Sequence, residues 1–428
     1  MNFNTLLFRF GLDPNNFINR LNDPIKTEHG FIYEVEQKHD TVLCPFCHHN
    51  KLYIKGYYWT EKNCNSNDFI DDTLRIKRVR LKCTKCGKSF TPKLHGIEPY
   101  TRLSGQTLTL IKNEFTGSLT FSAIAKKYGI STARILQLFD EHVKYVPRRP
   151  LPEVLCIDEI RFSKHKDHAY VCILYDFHAR EIVDVIRNRR MAYLREYFGD
   201  INPIERGKVK IVISDMYDAY STITRVYFKN AIHIVDLFHV IRLLTNAVNI
   251  LRTRTMNLLT PKGSYHYNFM KTNWKLFLCR SHHIPDKFYT YKKTGQIFHY
   301  DVLLDRCLEL NKDLHLAYNT LQDLFLYELK FTYDEALVFI ERIRDNLIFS
   351  SNELLKETGR SFHKWRFEIA NAFSKTQNNI RYTNAIAESI NNKIKTITKA
   401  AYGYKDFTRF RKRVLLILTY GKTPKENT

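Results

Sequence analysis

The rhythm of apolar positions changes along this chain, and the changes divide it. After residue 153 come runs of β-branched and apolar residues, VLCIDEIRF, HAYVCILYDF and REIVDVI, followed further on by VKIVISD and AIHIVD. Runs of this composition predict buried strands. From about His239 to Ser374 the pattern turns helical: Leu314, Ala317, Leu321 and Leu324 recur at three- and four-residue steps and paint one helix face. A last helical block starts near Asn384, where Ile386, Ile390 and Ile394 mark a buried stripe. The order is strands, a long helical stretch, then one returning helix.

Ahead of residue 153 the elements are smaller. Residues 1–40 are an unassigned lead-in, and residues 41–95 hold the alternating basic run LRIKRVRLK. The stretch SLTFSAIAKKYGISTARILQLFDEHV, within residues 100–147, reads as a helix-turn-helix. Ala125 lets two helices approach, Gly129 makes the turn and Ile135 packs back. Ser131 is a good N-cap, since its hydroxyl can accept a backbone N–H. The second helix would offer Ser131, Thr132, Arg134 and Gln137 to a DNA major groove. VPRRPLP, from Val146 to Pro152, is a basic linker in which proline blocks helix continuation.

Composition adds a partner. The 428 residues are 44% hydrophobic and 14% aromatic, ample for packed cores, and a chain of this length is expected to form two or three domains. Sixty-seven Lys and Arg against 44 Asp and Glu leave a net charge of +23, which attracts polyanions by releasing their counterions. Nucleic acid is the first partner to consider. A membrane is not expected: apolar stretches such as Val414 to Leu418 fall far short of the roughly 20 residues that span a bilayer. The start, MNFNTLLFRFGLD, does not read as a signal peptide. Disulfides are therefore not expected among the nine cysteines.

Four of those cysteines form two CxxC pairs, CPFC (Cys44, Cys47) and CTKC (Cys83, Cys86). Two such claws suit tetrahedral thiolate ligation of one structural Zn²⁺, with His48, His49 and Cys64 as neighbouring substitutes. Arg75, Lys77, Arg78, Arg80 and Lys82 give this ribbon a basic face suited to DNA phosphates. Cys156, Cys172, Cys279 and Cys307 lie in apolar contexts and are expected to pack as small hydrophobes.

Three acids carry the chemistry. Asp158 sits inside an apolar strand, where a charge is costly unless a metal ion compensates it. Asp215 ends the run VKIVISD, at the strand edge where ligand sites gather in α/β sheets. Glu388 shares a helix face with Asn391, Asn392 and Lys395. Converging, the three could hold two Mg²⁺ (or Mn²⁺) ions about 4 Å apart, as in-line phosphoryl transfer requires. Asp176, Asp218 and Glu159 are rivals, although strand alternation points Glu159 to the face opposite Asp158. Trp274 and Trp365 are read as helix packing rather than base stacking.

From Cys44 to about Leu418 these residues resemble the insertion-sequence transposases of the ISL3 family. In order the chain has CTKCGKSF, the helix-turn-helix, IDE at Asp158, SDMYDAY at Asp215, IVDLFHVIR, TNAIAESINNKIK and AYGYKDFTRFRKRVL. Ala385 and Ser389 stand where the family tends to have glycine. The resemblance implies an α/β RNase H-like catalytic core (153–240 and 379–420) interrupted by a large all-α insertion (241–378). A zinc ribbon (41–95) and a helix-turn-helix domain (100–147) precede it. It identifies Asp158, Asp215 and Glu388 as the catalytic acids and makes Asp236 and His239, with Asn392 and Lys395, supports of the active site. The implied function is binding double-stranded DNA at the element's inverted repeats, cutting it and joining it to target DNA. A homodimer on DNA, a cytoplasmic and nucleoid-associated location and no membrane partner go with that reading. The rival readings are a non-catalytic DNA-binding regulator and an RNase H-like nuclease that cuts without joining.

Overall fold

A computed structural model describes residues 2–20, 22–28, 30–39, 42–65, 71–94, 102–163, 169–326, 331–374, 381–400 and 406–420. The fold gathers into two units, Met1–Val146 with Ile397–Thr428, and Pro147–Thr396.

In the first unit, helix α1 (Phe3–Arg9) lays Phe3, Leu6 and Leu7 on a five-stranded sheet of order β1-β2-β4-β3, with β5 also paired to β4. The strands are β1 (Ile25–Lys26), β2 (Phe31–Glu36), β3 (Leu52–Asn65), β4 (Asp71–Cys83) and β5 (Ser89–Phe90). β3 and β4 form a long antiparallel ladder, and β2 adds to β4 in parallel with Val35 opposite Ile76. The lead-in thus belongs to the ribbon's sheet. Its FIYEVE run buries Tyr33 and Val35 against Leu74 and Ile76 and turns Glu34 and Glu36 toward the basic strand.

Three short helices follow: α2 (Gly105–Glu114), α3 (Phe121–Lys127) and α4 (Thr132–His142). Phe115, Phe121 and Phe139 pack edge to face at their centre, with centroids 5.0 to 6.3 Å apart. Gly129 takes φ +62°, a turn conformation that a side chain would strain, and Ser131 Oγ accepts the Arg134 N–H at 3.2 Å. Helices α3 and α4 are thus joined by a tight turn at Gly129.

The second unit is built on a mixed sheet of order β10-β9-β6-β7-β8. Strands β6 (Val154–Arg161), β7 (Tyr170–Asp176) and β8 (Glu181–Ile186) form an antiparallel meander, and β9 (Ile211–Ser214) and β10 (Ile232–Val235) extend it in parallel from β6. Helices α5 (Met191–Gly199), α6 (Pro203–Arg206) and α7 (Asp218–Tyr227) lie between these strands in sequence. Leu194, Phe198, Tyr220, Ile223 and Phe228 close one core with Leu155, Ile157, Cys172 and Leu174. The linker's arginines are anchored within this unit, Arg148 on Glu205 and Arg149 on Glu181.

Then comes the long stretch of α8 (Leu237–Leu258), α9 (Tyr265–Thr272), α10 (Tyr300–Glu309), α11 (Lys312–Leu326), α12 (Tyr333–Ile348), α13 (Glu353–Lys364) and α14 (Arg366–Phe373). It is not wholly helical, as the sequence had suggested. Phe288–Tyr291 and Gln296–His299 form a β-hairpin, because FYTY and QIFH are aromatic and β-branched and Gly295 takes φ +73° between them. α14 returns to the sheet, where Asn371 Nδ2 donates to the His233 carbonyl at 2.9 Å. Among the described residues no helix is long and apolar enough to cross a membrane.

The C-terminal block divides. α15 (Ala385–Ala400) lies in the second unit as far as Thr396, whereas α16 (Phe407–Tyr420) belongs to the first. Arg413 of α16 is 1% exposed, and its guanidinium donates to the carbonyls of Glu114, Phe115, Gly117 and Leu119, where α2 ends. The carbonyls at a helix C-terminus lack intrahelical donors and carry partial negative charge, so a cation satisfies both needs. Arg409 adds an ion pair to Asp140 of α4 at 2.6 Å. Arg413→Met should therefore destabilise this unit by on the order of 3 kcal/mol, since several buried carbonyls lose their donors at once. Urea unfolding followed by intrinsic fluorescence measures it, and an unchanged midpoint refutes it.

Candidate active site and metal centre

The parallel register sets the acids side by side. Cys156 pairs with Ile213 on β9; followed two residues further along both strands, Asp158 and Asp215 come to neighbouring positions. Val235 pairs with Ser214, so Asp236 follows beside Asp215, and its N–H donates to the Ser214 carbonyl at 2.8 Å. Three aspartates thus lie in a row across β6, β9 and β10.

Helix α15 is moored to that row. Asn384 donates through Nδ2 to the Ile157 carbonyl and through its backbone N–H to Asp236 Oδ1, both at 3.4 Å. Two turns further along, Asn391 Nδ2 donates to Asp158 Oδ2 at 2.6 Å. The Tyr175 hydroxyl donates to Asn391 Oδ1, and burial pushes that phenol well above its ordinary pKa, which keeps the donor proton in place. Glu388 stands between Asn384 and Asn391 on the same helix face, and its side chain is exposed. Asn391 is 5% exposed, while Asn392 and Lys395 are on the solvent side of the helix. The amide that touches an acid is therefore Asn391. A helical repeat marked the face shared by Asn391 and Asn392 but not which of two adjacent amides turns inward.

The electrostatics are those of crowded acids. Burial pushes Asp215 up to about 7; the carboxylates of Glu159 and Asp158 add to the rise and Arg189 opposes it. Burial also raises Asp158, against the N–H of Glu159 and the Asn391 amide. Asp215 Oδ1 is buried with no hydrogen-bond partner among the described residues, an expensive state for a carboxylate oxygen and one that a cation relieves. Glu159 is held by Arg189 at 2.5 Å, and that guanidinium stacks on Tyr170 and Tyr217. Of the rivals, Asp176 caps the β7–β8 turn by accepting from His178 and Ala179, and Asp218 pairs with Lys364 at 2.6 Å. Beside Asp215 opens a cleft of about 350 Å³, lined also by His239, Arg242, Asn246, Ser361 and Trp365. Trp365 is buried with its edge toward His233, whereas Trp274 is 41% exposed.

The one group of three or more metal-ligating side chains lying within 4.8 Å of one another, among the described residues, is Cys44, Cys47, Cys83 and Cys86. Cys44 and Cys86 are 3.6 Å apart, as are Cys47 and Cys83. Tetrahedral Zn²⁺ with Zn–S near 2.3 Å requires sulfurs about 3.8 Å apart, so this donor set fits zinc. Backbone N–H groups of Cys86 and Lys85 help bring the Cys83 thiol down to about 7. The side chain of Cys64 lies outside the described residues. Asp158, Asp215 and Glu388 do not form a group of that kind.

The basic face of the ribbon is mostly committed. Arg75 pairs with Glu34 and Glu61, Lys77 pairs with Glu36, and Arg78 donates to Gln37 Oε1 and the Pro92 carbonyl. Arg80 is exposed and has no acidic partner among the described residues. On α4, Thr132 and Gln137 are exposed, and Arg134 lies 3.6 Å from Glu141.

Residues 155–414, more than half of the chain, match a family model described as Transposase, of the ISL3 DDE type. The transposase for insertion sequence element IS1001 of Bordetella parapertussis is 23% identical over 341 residues, covering 78% of each chain. An ATP-dependent protease of Lactococcus lactis subsp. lactis is 30% identical over 114 residues, 27% of this chain and 34% of that one.

His233 supports the strand that carries the second aspartate. Its Nε2 lies 2.8 Å from Ser214 Oγ, and its Nδ1 has no hydrogen-bond partner among the described residues, with Glu368 4.0 Å away. Burial lowers its pKa to about 4, so the ring is neutral near pH 7 and forms no ion pair with Glu368. A histidine held below its unfolded value of roughly 6.5 contributes stability above that pH and loses it as pH falls toward 4. The loss amounts to about 3 kcal/mol. Glu368, raised by burial, titrates with the opposite sign and remains in both proteins. His233→Gln should therefore flatten the fall in urea midpoint between pH 6.5 and 4 relative to the parent; parallel curves would contradict it.

Proposed function

The chain belongs to the ISL3 family of DDE transposases and is the phosphoryl-transfer enzyme of an insertion sequence; from that premise we propose that Asp158, Asp215 and Glu388 are its catalytic acids. The family implies divalent metal ions, and we assign two Mg²⁺ (or Mn²⁺) to these carboxylates. The observation that carries the assignment is the aspartate row with its orphaned Asp215 oxygen, against which Asn384 and Asn391 moor the helix of Glu388. Strands in the order β10-β9-β6-β7-β8, three antiparallel and two parallel, support an RNase H-like core. Bound there, two ions supply Lewis acidity toward a DNA phosphate and activate water or a 3′-hydroxyl.

The chain's own residues do the rest. Asn391 fixes one oxygen of Asp158 and is itself fixed by Tyr175, so the carboxylate presents a defined edge. Asp236 moors α15 and opens α8, whose next turn places His239 and Arg242 beside Asp215 in the cleft. Those cationic and polar groups face the place where a phosphate would lie. Zn²⁺ on the four cysteines stiffens the ribbon. The helix-turn-helix, through Ser131, Thr132, Arg134 and Gln137, reads double-stranded DNA at the inverted repeats. A homodimer pairs two element ends.

A strand-transfer assay with labelled element ends and Mg²⁺ tests this. Asp158→Asn, Asp215→Asn and Glu388→Gln should each reduce cutting and joining by at least about a thousandfold, the worth of losing a metal ligand's several kcal/mol. Full activity in any of them sinks the assignment, and cut ends without joined product from the parent would indicate a nuclease. Asn391→Ala should raise the Mg²⁺ concentration for half-maximal rate by about 10- to 100-fold while leaving end binding unchanged. An unaltered metal requirement would show that its hydrogen bond does not serve the site.

A further inference from the structure

The ribbon has a recess that the metal chemistry does not use. A bulge in β3 separates Ile54 from Gly56, and beyond it Gly56 lies opposite Arg80 and Tyr58 opposite Arg78. With no side chain on Gly56, the face above Arg80 is left open. A Cβ built at Gly56 meets nothing within 4 Å, and its φ is not positive, so the glycine is not demanded by crowding or by backbone strain. The recess has a volume of about 460 Å³. Tyr57, Tyr58 and Phe90 wall it, and Ser89 and Thr91 bring hydroxyls to its rim. Tyr58 donates to Thr91 Oγ1 at 3.1 Å, which holds its ring as a fixed wall.

We propose that this recess binds an unpaired nucleotide of DNA, with Arg80 on its phosphate and the aromatic side chains against its base. The charge is right: no acidic residue lines the recess, and Arg80 is exposed while Arg75, Lys77 and Arg78 are engaged by acids, an amide and a carbonyl. The shape is right too. Tyr58 is 41% exposed, and an exposed ring offers its face to an unstacked base, whereas bases inside a duplex already stack on one another; Tyr57, 47% exposed, already carries the Lys77 ammonium 4.6 Å from its ring centre. Lys82 over Tyr53 and Lys88 over Phe46 extend the same pairing of ring and cation along the ribbon. The volume falls in the range of small-molecule sites, about 300–1,000 Å³. Such a site would take a base displaced from the helix, or one on the single-stranded flank exposed by a nick. It depends on the first unit alone and not on the identity of the catalytic acids.

The test uses the full-length, zinc-loaded protein and fluorescence anisotropy with two probes, labelled oligothymidine of about 12 nucleotides and a fully paired duplex. Gly56→Leu fills the recess and Arg80→Gln removes its cation, each at a position with no side-chain partner among the described residues. Both should weaken oligothymidine binding about tenfold and leave duplex binding within about twofold. Unchanged oligothymidine affinity, or an equal loss on both probes, overturns the proposal. So does loss of zinc from both variants, because it would mean that these positions serve the ribbon's own packing.

Discussion

Like charge held at close quarters is the constraint on which the second unit depends. Parallel pairing of β6, β9 and β10 puts aspartates on adjacent strands at one level, and burial denies them the water that would screen their repulsion. The surrounding groups manage this strain without removing it. Arg189 draws off Glu159, Asn391 occupies one oxygen of Asp158, and a backbone N–H meets Asp236. One oxygen of Asp215 has no partner among the described residues. A sheet that merely needed stability would carry apolar residues at these positions, and perturbed acids of this kind mark a candidate functional site.

The support of the site reaches outward in layers. Ser214 precedes Asp215 and is held by His233, whose carbonyl is in turn held by Asn371 of α14. The long insertion thus returns to brace the strand beside the second aspartate, and Trp365, just before α14, closes the space around His233. The inserted helices are therefore part of how the sheet end keeps its geometry.

Much of this was legible in the sequence. The strands declared themselves because both faces of the sheet are covered and their residues are apolar without interruption, so Asp158 stood out as a charge in the wrong place. Glu388 did not stand out in that way: it is exposed on an amphipathic helix, and the family resemblance was needed to single it out. Asn391 was passed over for Asn392 and Lys395, since a 3.6-residue repeat cannot rank neighbours at the edge of a stripe. The basic run of β4 was read as a phosphate-binding face because its acidic partners, Glu34 and Glu36, sit in the lead-in, where the alternation of FIYEVE was too short to assign. Pairing across such distances in sequence leaves no local signature.

Arg413 illustrates the same point on a larger scale. The carbonyls it satisfies lie nearly 300 residues earlier, 299 positions in the case of Glu114. Chains are synthesised from the N-terminus, so the ribbon and the three short helices emerge long before the helix that completes them. Until the ribosome has added α16, the carbonyls of Phe115, Gly117 and Leu119 lack this donor and the first unit lacks its last wall. The first unit is in this respect unfinished even when the sheet of the second has formed, so its completion waits on a helix made some 300 residues after the elements it closes.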